Sequence, residues 1–188
     1  MLSLTPDAAQ YIGDFGETLA LIPAIVAVWI FMVFAGARRL AGVWAATLLL
    51  AIAITALVKL AAGPVSGHTA ISTGFYGGLA IVMWQARPSP SWPLRFAALA
   101  LVCLVGLVAW CVCIVGWHSP EDAVGGVLVG GICPIALGHA LQTVKLSRLG
   151  AATLLVIAIL LVMPLHGSEF KYPELTSRSM VLAALAKI

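Results

Sequence analysis

A chain of 188 residues in which 62% are hydrophobic and only 9% are charged is not an ordinary soluble domain, where roughly a quarter of residues carry charge. A mean hydropathy of +1.11 is that of an integral membrane protein, and a net charge of +3 is too small to imply affinity for nucleic acid. The length suits a single membrane-embedded domain over 1–188, with no room for a soluble module.

Residues 1–17 mix polar and aromatic side chains and read as an interfacial N-terminal segment. Asp7, Asp14 and Glu17 precede the first apolar run, where a cleaved signal would begin with basic residues, so that run is expected to be a retained span. A spanning helix takes about 20 largely apolar residues. Six such runs are predicted, over 18–36, 42–62, 68–86, 94–113, 121–143 and 149–165. Arg38 and Arg39 follow the first, Gly63 and Pro64 the second, and Pro88, Pro90 and Pro93 separate the third from the fourth. Pro120 suits the first turn of the fifth helix. Its glycines Gly125, Gly126, Gly130 and Gly131 are expected to permit close helix packing. Residues 166–188 form an outward C-terminal tail. The predicted class is all-α, a six-helix transmembrane bundle.

Six passes put the first, third and fifth connections on one side. These carry Arg38, Arg39, Arg87, Arg95, Lys145 and Arg148 and no acid, while all seven acids fall on the other side. Basic short loops mark the cytoplasmic face. Both termini are therefore expected to face the periplasm or exterior of a bacterial-type inner membrane. The four cysteines lie in apolar runs and read as small buried hydrophobes. Trp44, Trp84, Trp92 and Trp117 lie near span ends and read as interface anchors. His139 and His166 read as structural.

The chemistry is concentrated at two junctions on the predicted outer side. One is Ser66-Gly67-His68-Thr69, between the second and third spans, and the other is Gly116-Trp117-His118-Ser119-Pro120-Glu121-Asp122, before the fifth. His118 and Asp122 are neighbours on one helical face. An acid that fixes one imidazole nitrogen leaves the other available as nucleophile or base. His68 is then a candidate acid for a leaving group. Ser66 and the Gly67 amide, at a helix start, favour an anion, and Lys59 adds a cation to the same side. Structural alternatives stand beside these: Ser66 as a helix cap, Lys59 as a snorkelling cation, and His118 with Asp122 as a hydrogen-bonded pair.

The two junctions resemble the second and third signature motifs of the type 2 phosphatidic acid phosphatase (PAP2) superfamily. The likeness extends back through Lys59, Arg38-Arg39 and Asp14-Phe15-Gly16 to the order seen in small bacterial members. It implies a PAP2-type bundle in which His118 is the phosphohistidine nucleophile, Asp122 orients it and His68 protonates the leaving group. Ser66, Gly67, Lys59 and Thr69 would then bind phosphate. The chain departs from the pattern in two places. No Arg-Pro pair follows Lys59, and Val65 stands in place of a proline. Cys111 and Val112 stand where a Ser-Arg pair is expected. Arg178 in the tail is the outward arginine that could stand in for a missing one.

The resemblance implies a membrane lipid-phosphate or diphosphate phosphatase, or a phosphotransferase, acting on a polyprenyl or glycerolipid phosphate. No cofactor and no metal are called for. The expected partners are a lipid phosphate substrate and membrane lipids, with a homo-oligomer or partner subunit left open. Two alternatives remain: a degenerate lipid-binding or accessory subunit, and a hydrolase using Ser66 as nucleophile.

Overall fold

The computed structural model describes residues 5–61, 63–86, 91–144 and 146–166, with the backbone alone at Leu19. The described residues are almost entirely helical. A short helix, α1 (Pro6–Gly13), leads through a 3-10 turn (Asp14–Gly16) into α2 (Thr18–Phe34). Then come α3 (Arg38–Leu60), α4 (Gly67–Ser72), a π turn (Thr73–Gly77) and α5 (Gly78–Trp84). The chain continues with α6 (Trp92–Ile114), α7 (Pro120–Gly130), α8 (Ile132–Leu141) and α9 (Arg148–Leu165).

Five helical runs are long and apolar enough to cross a membrane: Pro6–Phe34, Arg38–Leu60, Trp92–Ile114, Pro120–Leu141 and Arg148–Leu165. The third predicted span is Gly67–Trp84, interrupted at mid-depth by the π turn, which a 3.6-residue reading does not anticipate. The fifth is α7 and α8 joined at Gly131. Contacts between connections show the helices alternating in direction. Arg39 donates to Thr143 Oγ1 (3.0 Å) and the Arg95 guanidinium lies 5.9 Å from the Trp84 ring at one end. At the other end, His166 Nε2 lies 2.7 Å from the Tyr11 carbonyl oxygen. Among the described residues, Arg38, Arg39, Arg95 and Arg148 begin helices at the first end, while Asp14, Glu17, Glu121 and Asp122 sit at the second. Predicted residues Arg87, Lys145, Arg178 and most of the 166–188 tail lie outside the described residues.

The run from α4 to α5 is the core of the bundle. Thr69, Ala70, Phe75, Tyr76, Leu79, Val82 and Met83 are all buried. The surrounding helices instead turn Phe34, Leu49, Phe96, Leu128 and Leu149 outward. An apolar surface this extensive requires a lipid solvent, and the chain is a multi-pass membrane protein. Trp44, expected as an interface anchor, is fully buried, edge-on to Phe75 with ring centroids 5.9 Å apart. A Cβ on Gly78 would lie only 2.8 Å from the Trp44 ring, so the missing side chain makes room for the indole. Cys111 and Cys133 are buried as expected, whereas Cys103 is exposed on the outer face of α6.

The glycines of α7 perform the role expected of them. Gly125 lies against the Pro64 carbonyl and Gly130 against that of Ala70, and a Cβ on Gly126 would lie 2.5 Å from the Ser66 oxygen. Backbone therefore packs on backbone between α4 and α7. Gly126→Leu is expected to cost about 3 kcal/mol or more, the upper range for overpacking, because no rotamer relieves a clash with backbone. Gly106→Ala, facing open space, is expected to change stability by no more than about 1 kcal/mol. Thermal unfolding in detergent separates the two, and equal effects would contradict this packing.

Candidate functional site

Chain geometry brings the two junctions together. The helix α6 ends in a Schellman turn at Gly116, whose φ of 80° suits glycine. Trp117 N–H donates to the Val112 carbonyl (3.0 Å) and Gly116 N–H to that of Cys113 (3.1 Å). The chain reverses there, and Ser119 caps α7 with Pro120 in the first turn. The Ser66 amide then donates to the Asp122 carbonyl at 2.7 Å, tying the start of α4 to the first turn of α7. As a result the His68 and His118 rings lie 5.7 Å apart, with Trp117 5.6 Å from His68.

His118 Nδ1 faces Asp122 Oδ2 at 3.9 Å, too long for a hydrogen bond. The expected imidazole–carboxylate hydrogen bond is replaced by a looser contact, and the carboxylate is engaged locally. Asp122 Oδ2 accepts from the Ser119 amide (3.1 Å), and Ser119 Oγ accepts from the Asp122 amide (3.2 Å). This is a capping box, which fixes the carboxylate where it faces His118.

His68 has a partner that the sequence reading did not assign. Its Nε2 lies 3.1 Å from Glu17 Oε2. Glu17 stands between the 3-10 turn and α2, and that turn is seated firmly. Tyr76 Oη donates to the Phe15 carbonyl (2.9 Å), and Phe15 stacks on His166 with centroids 3.8 Å apart. A Cβ on Gly16 would lie 2.8 Å from Val108 and 3.3 Å from the His68 carbonyl oxygen, so the turn sits directly on the histidine. Two signals pointed towards Glu17: its place at the start of the first span, and its side of the bundle. Its partner, 51 positions away, was not legible.

Of the expected phosphate ligands, Ser66 and Thr69 are fully buried. Thr69 donates to Ser66 Oγ through both its amide (3.2 Å) and its hydroxyl (3.0 Å), so both side chains build the turn. Gly67 is partly exposed, and a Cβ there would lie 3.9 Å from Lys59 Nζ. An ammonium held against a helix start, itself the positive end of the dipole, is a like-charge contact that an anion relieves. Among the described residues, the cation at this end is Lys59, and no acid pairs with it. Cys111 and Val112 are buried, Val112 in a small cluster with Val108 and Ala123.

The Glu17 carboxyl lies below its usual range. The main cause is its hydrogen bond to His68, aided by charge attraction and opposed by partial burial. A carboxyl depressed by folding stabilises the protein above its unfolded value near 4.5 and loses that contribution as pH falls through the folded value. Glu17→Gln is therefore expected to flatten the acid limb of Tm against pH below about 4.5. Identical acid limbs in the two proteins would contradict the pairing.

Comparison with known proteins adds one finding. The family model of the PAP2 superfamily matches residues 59–146. No curated protein and no solved structure matches the chain. The matched stretch opens on Lys59 and contains both histidine junctions, while Glu17 and α1 to most of α3 lie before it. The segment from 59 to 146, with its paired histidines at one end of the bundle, belongs to the PAP2 superfamily.

Proposed function

We propose that the protein is a membrane phosphatase that hydrolyses a lipid phosphate or diphosphate, a polyprenyl or glycerolipid phosphate, through a histidine nucleophile. The observation that carries this reading is the pair of imidazole rings 5.7 Å apart, with the Lys59 ammonium near Gly67, 3.9 Å from where a Cβ there would stand. Two groups able to exchange protons and a cationic seat thus lie within reach of one phosphoryl group.

In this reading Lys59 and the Gly67 amide receive the phosphoryl oxygens. His118 Nε2, the nitrogen turned away from Asp122, attacks phosphorus. As the P–N bond forms, the P–O bond to the lipid breaks, and His68 gives its proton to the departing oxygen. Water then attacks the phosphohistidine. Its oxygen bonds to phosphorus, the P–N bond breaks, and its proton returns to His68. Asp122 supports the positive charge that develops on His118.

A lipid substrate is supported by a cleft of about 230 Å³ between α2 and α3, lined by Ile22, Ile25, Trp29, Trp44, Ile52 and Ile71. It opens on the lipid-facing surface, and Ile71 lies about one turn beyond His68 on α4. A hydrocarbon tail in the cleft leaves its head group at the histidines. Basic connections opposite the site orient it outward, to the periplasm of a bacterial-type inner membrane. Burial of Cys111 and Val112, where the family pattern expects a Ser-Arg pair, favours a second reading, a lipid-binding or accessory protein without turnover.

Phosphate release by the purified protein from a panel of lipid phosphates decides between the two. The phosphatase reading expects release that His118→Ala lowers by at least ~1,000-fold, and that Lys59→Ala lowers by about 10- to 100-fold in kcat/KM. No release from any lipid, with lipid binding retained, would establish the accessory reading.

A further inference from the structure

We infer that Glu17 is the positioning residue of His68: its carboxylate holds the Nε2 proton and turns Nδ1 toward the substrate. The acid–base histidine of the PAP2 segment is thus oriented by a residue outside the matched stretch of 59–146. What His68 does rests on the phosphatase reading; how it is held does not.

The geometry gives the direction of the hydrogen bond. An ionised carboxylate only accepts, so at 3.1 Å the proton on His68 Nε2 lies toward Glu17 Oε2. Neutral His68 is then the Nε2–H tautomer, with Nδ1 bare, and charged His68 carries its transferable proton on Nδ1. His118 has the opposite arrangement, with its Nδ1 on the side of its carboxylate, 3.9 Å from Asp122 Oδ2. The two rings present unlike nitrogens, which suits unlike roles, nucleophile at one and acid at the other.

The placement of Glu17 is over-determined. It ends a turn pinned by the Tyr76 hydroxyl, and Gly16 allows that turn to sit on His68. The charged and titratable groups named in this region come from four parts of the chain. Before α2 there are Glu17 and, in the turn, Asp14. From the connection ahead of α7 comes His118, with its ring 5.7 Å away. Asp122 of α7 is engaged with the Ser119 amide, and Lys59 of α3 stands beside Gly67. The ion pairs between histidine and carboxylate among the described residues are His68–Glu17 and His118–Asp122. Each histidine therefore has its own acid, one supplied within the matched segment and one by the N-terminal segment. A carboxylate that fixes tautomer and ring angle raises rate without binding substrate.

The test uses the full chain, 15N-labelled at histidine, in detergent micelles, with His68 assigned by the signal lost in His68→Asn. Long-range 1H–15N spectra are expected to show neutral His68 as the Nε2–H tautomer in the wild type and as a mixture in Glu17→Ala. Glu17→Gln, which keeps a carbonyl acceptor, is expected to restore the single tautomer. In the same preparations, Glu17→Ala is expected to lower kcat by about 100-fold while KM stays within about threefold. A wild-type His68 in the Nδ1–H form would overturn the inference, even if Glu17→Ala fails to fold. So would a tautomer and kcat unchanged by Glu17→Ala. Absence of phosphate release from the wild type would defeat the phosphatase reading alone, since the spectra still decide how His68 is held.

Discussion

One backbone hydrogen bond organises the site. The Ser66 amide donates to the Asp122 carbonyl at 2.7 Å, joining chain segments that the sequence separates by two membrane passes. It can form only because α7 presents glycine where α4 approaches: side chains at Gly125, Gly126 or Gly130 would meet the backbone oxygens of Pro64, Ser66 and Ala70. In lipid, helices gain little from hiding apolar surface from one another, so close backbone contact and buried hydrogen bonds carry much of the association. The small residues thus hold two histidines together without contributing any chemistry themselves.

The polar groups at this end of the bundle are arranged in pairs, as the low dielectric nearby requires. Glu17 meets His68, Asp122 closes a capping box while facing His118, and Ser66 and Thr69 satisfy each other. Lys59 differs, an ammonium set near the start of α4 with no carboxylate among the described residues to offset it. That imbalance is what an anionic substrate would neutralise. The N-terminal segment completes the arrangement, with its turn held by Tyr76 on one side and the His166 ring against Phe15 on the other.

Much of this architecture was legible in the sequence because it is periodic or local. Apolar run lengths located the helices to within a few residues, Pro120 and Ser119 marked the start of α7, and the glycines of that helix indicated close packing. What escaped is what depends on distant partners. Trp44 sits near the basic end of α3, as an anchor would, yet it is buried because Gly78 leaves space for it. Ser66 and Thr69 stand in a phosphate-binding pattern, but burial turns their hydroxyl groups inward. Glu17 looked like one acid among several until the fold laid its turn against His68. The π turn interrupting the central helix has no local compositional cue, and Cys103 is exposed because α6 turns that face outward.

The proposed reaction requires His118 to form a covalent bond to phosphorus during turnover. The most direct measurement is to trap that bond: incubate the purified protein with a 32P-labelled lipid phosphate, quench in alkali, and locate protein-bound label by mass spectrometry. Label that is stable to alkali, labile to acid, placed on His118 and lost in His118→Ala is the predicted result. Label on Ser66, or phosphate release with no phosphohistidine under any quench, would contradict it.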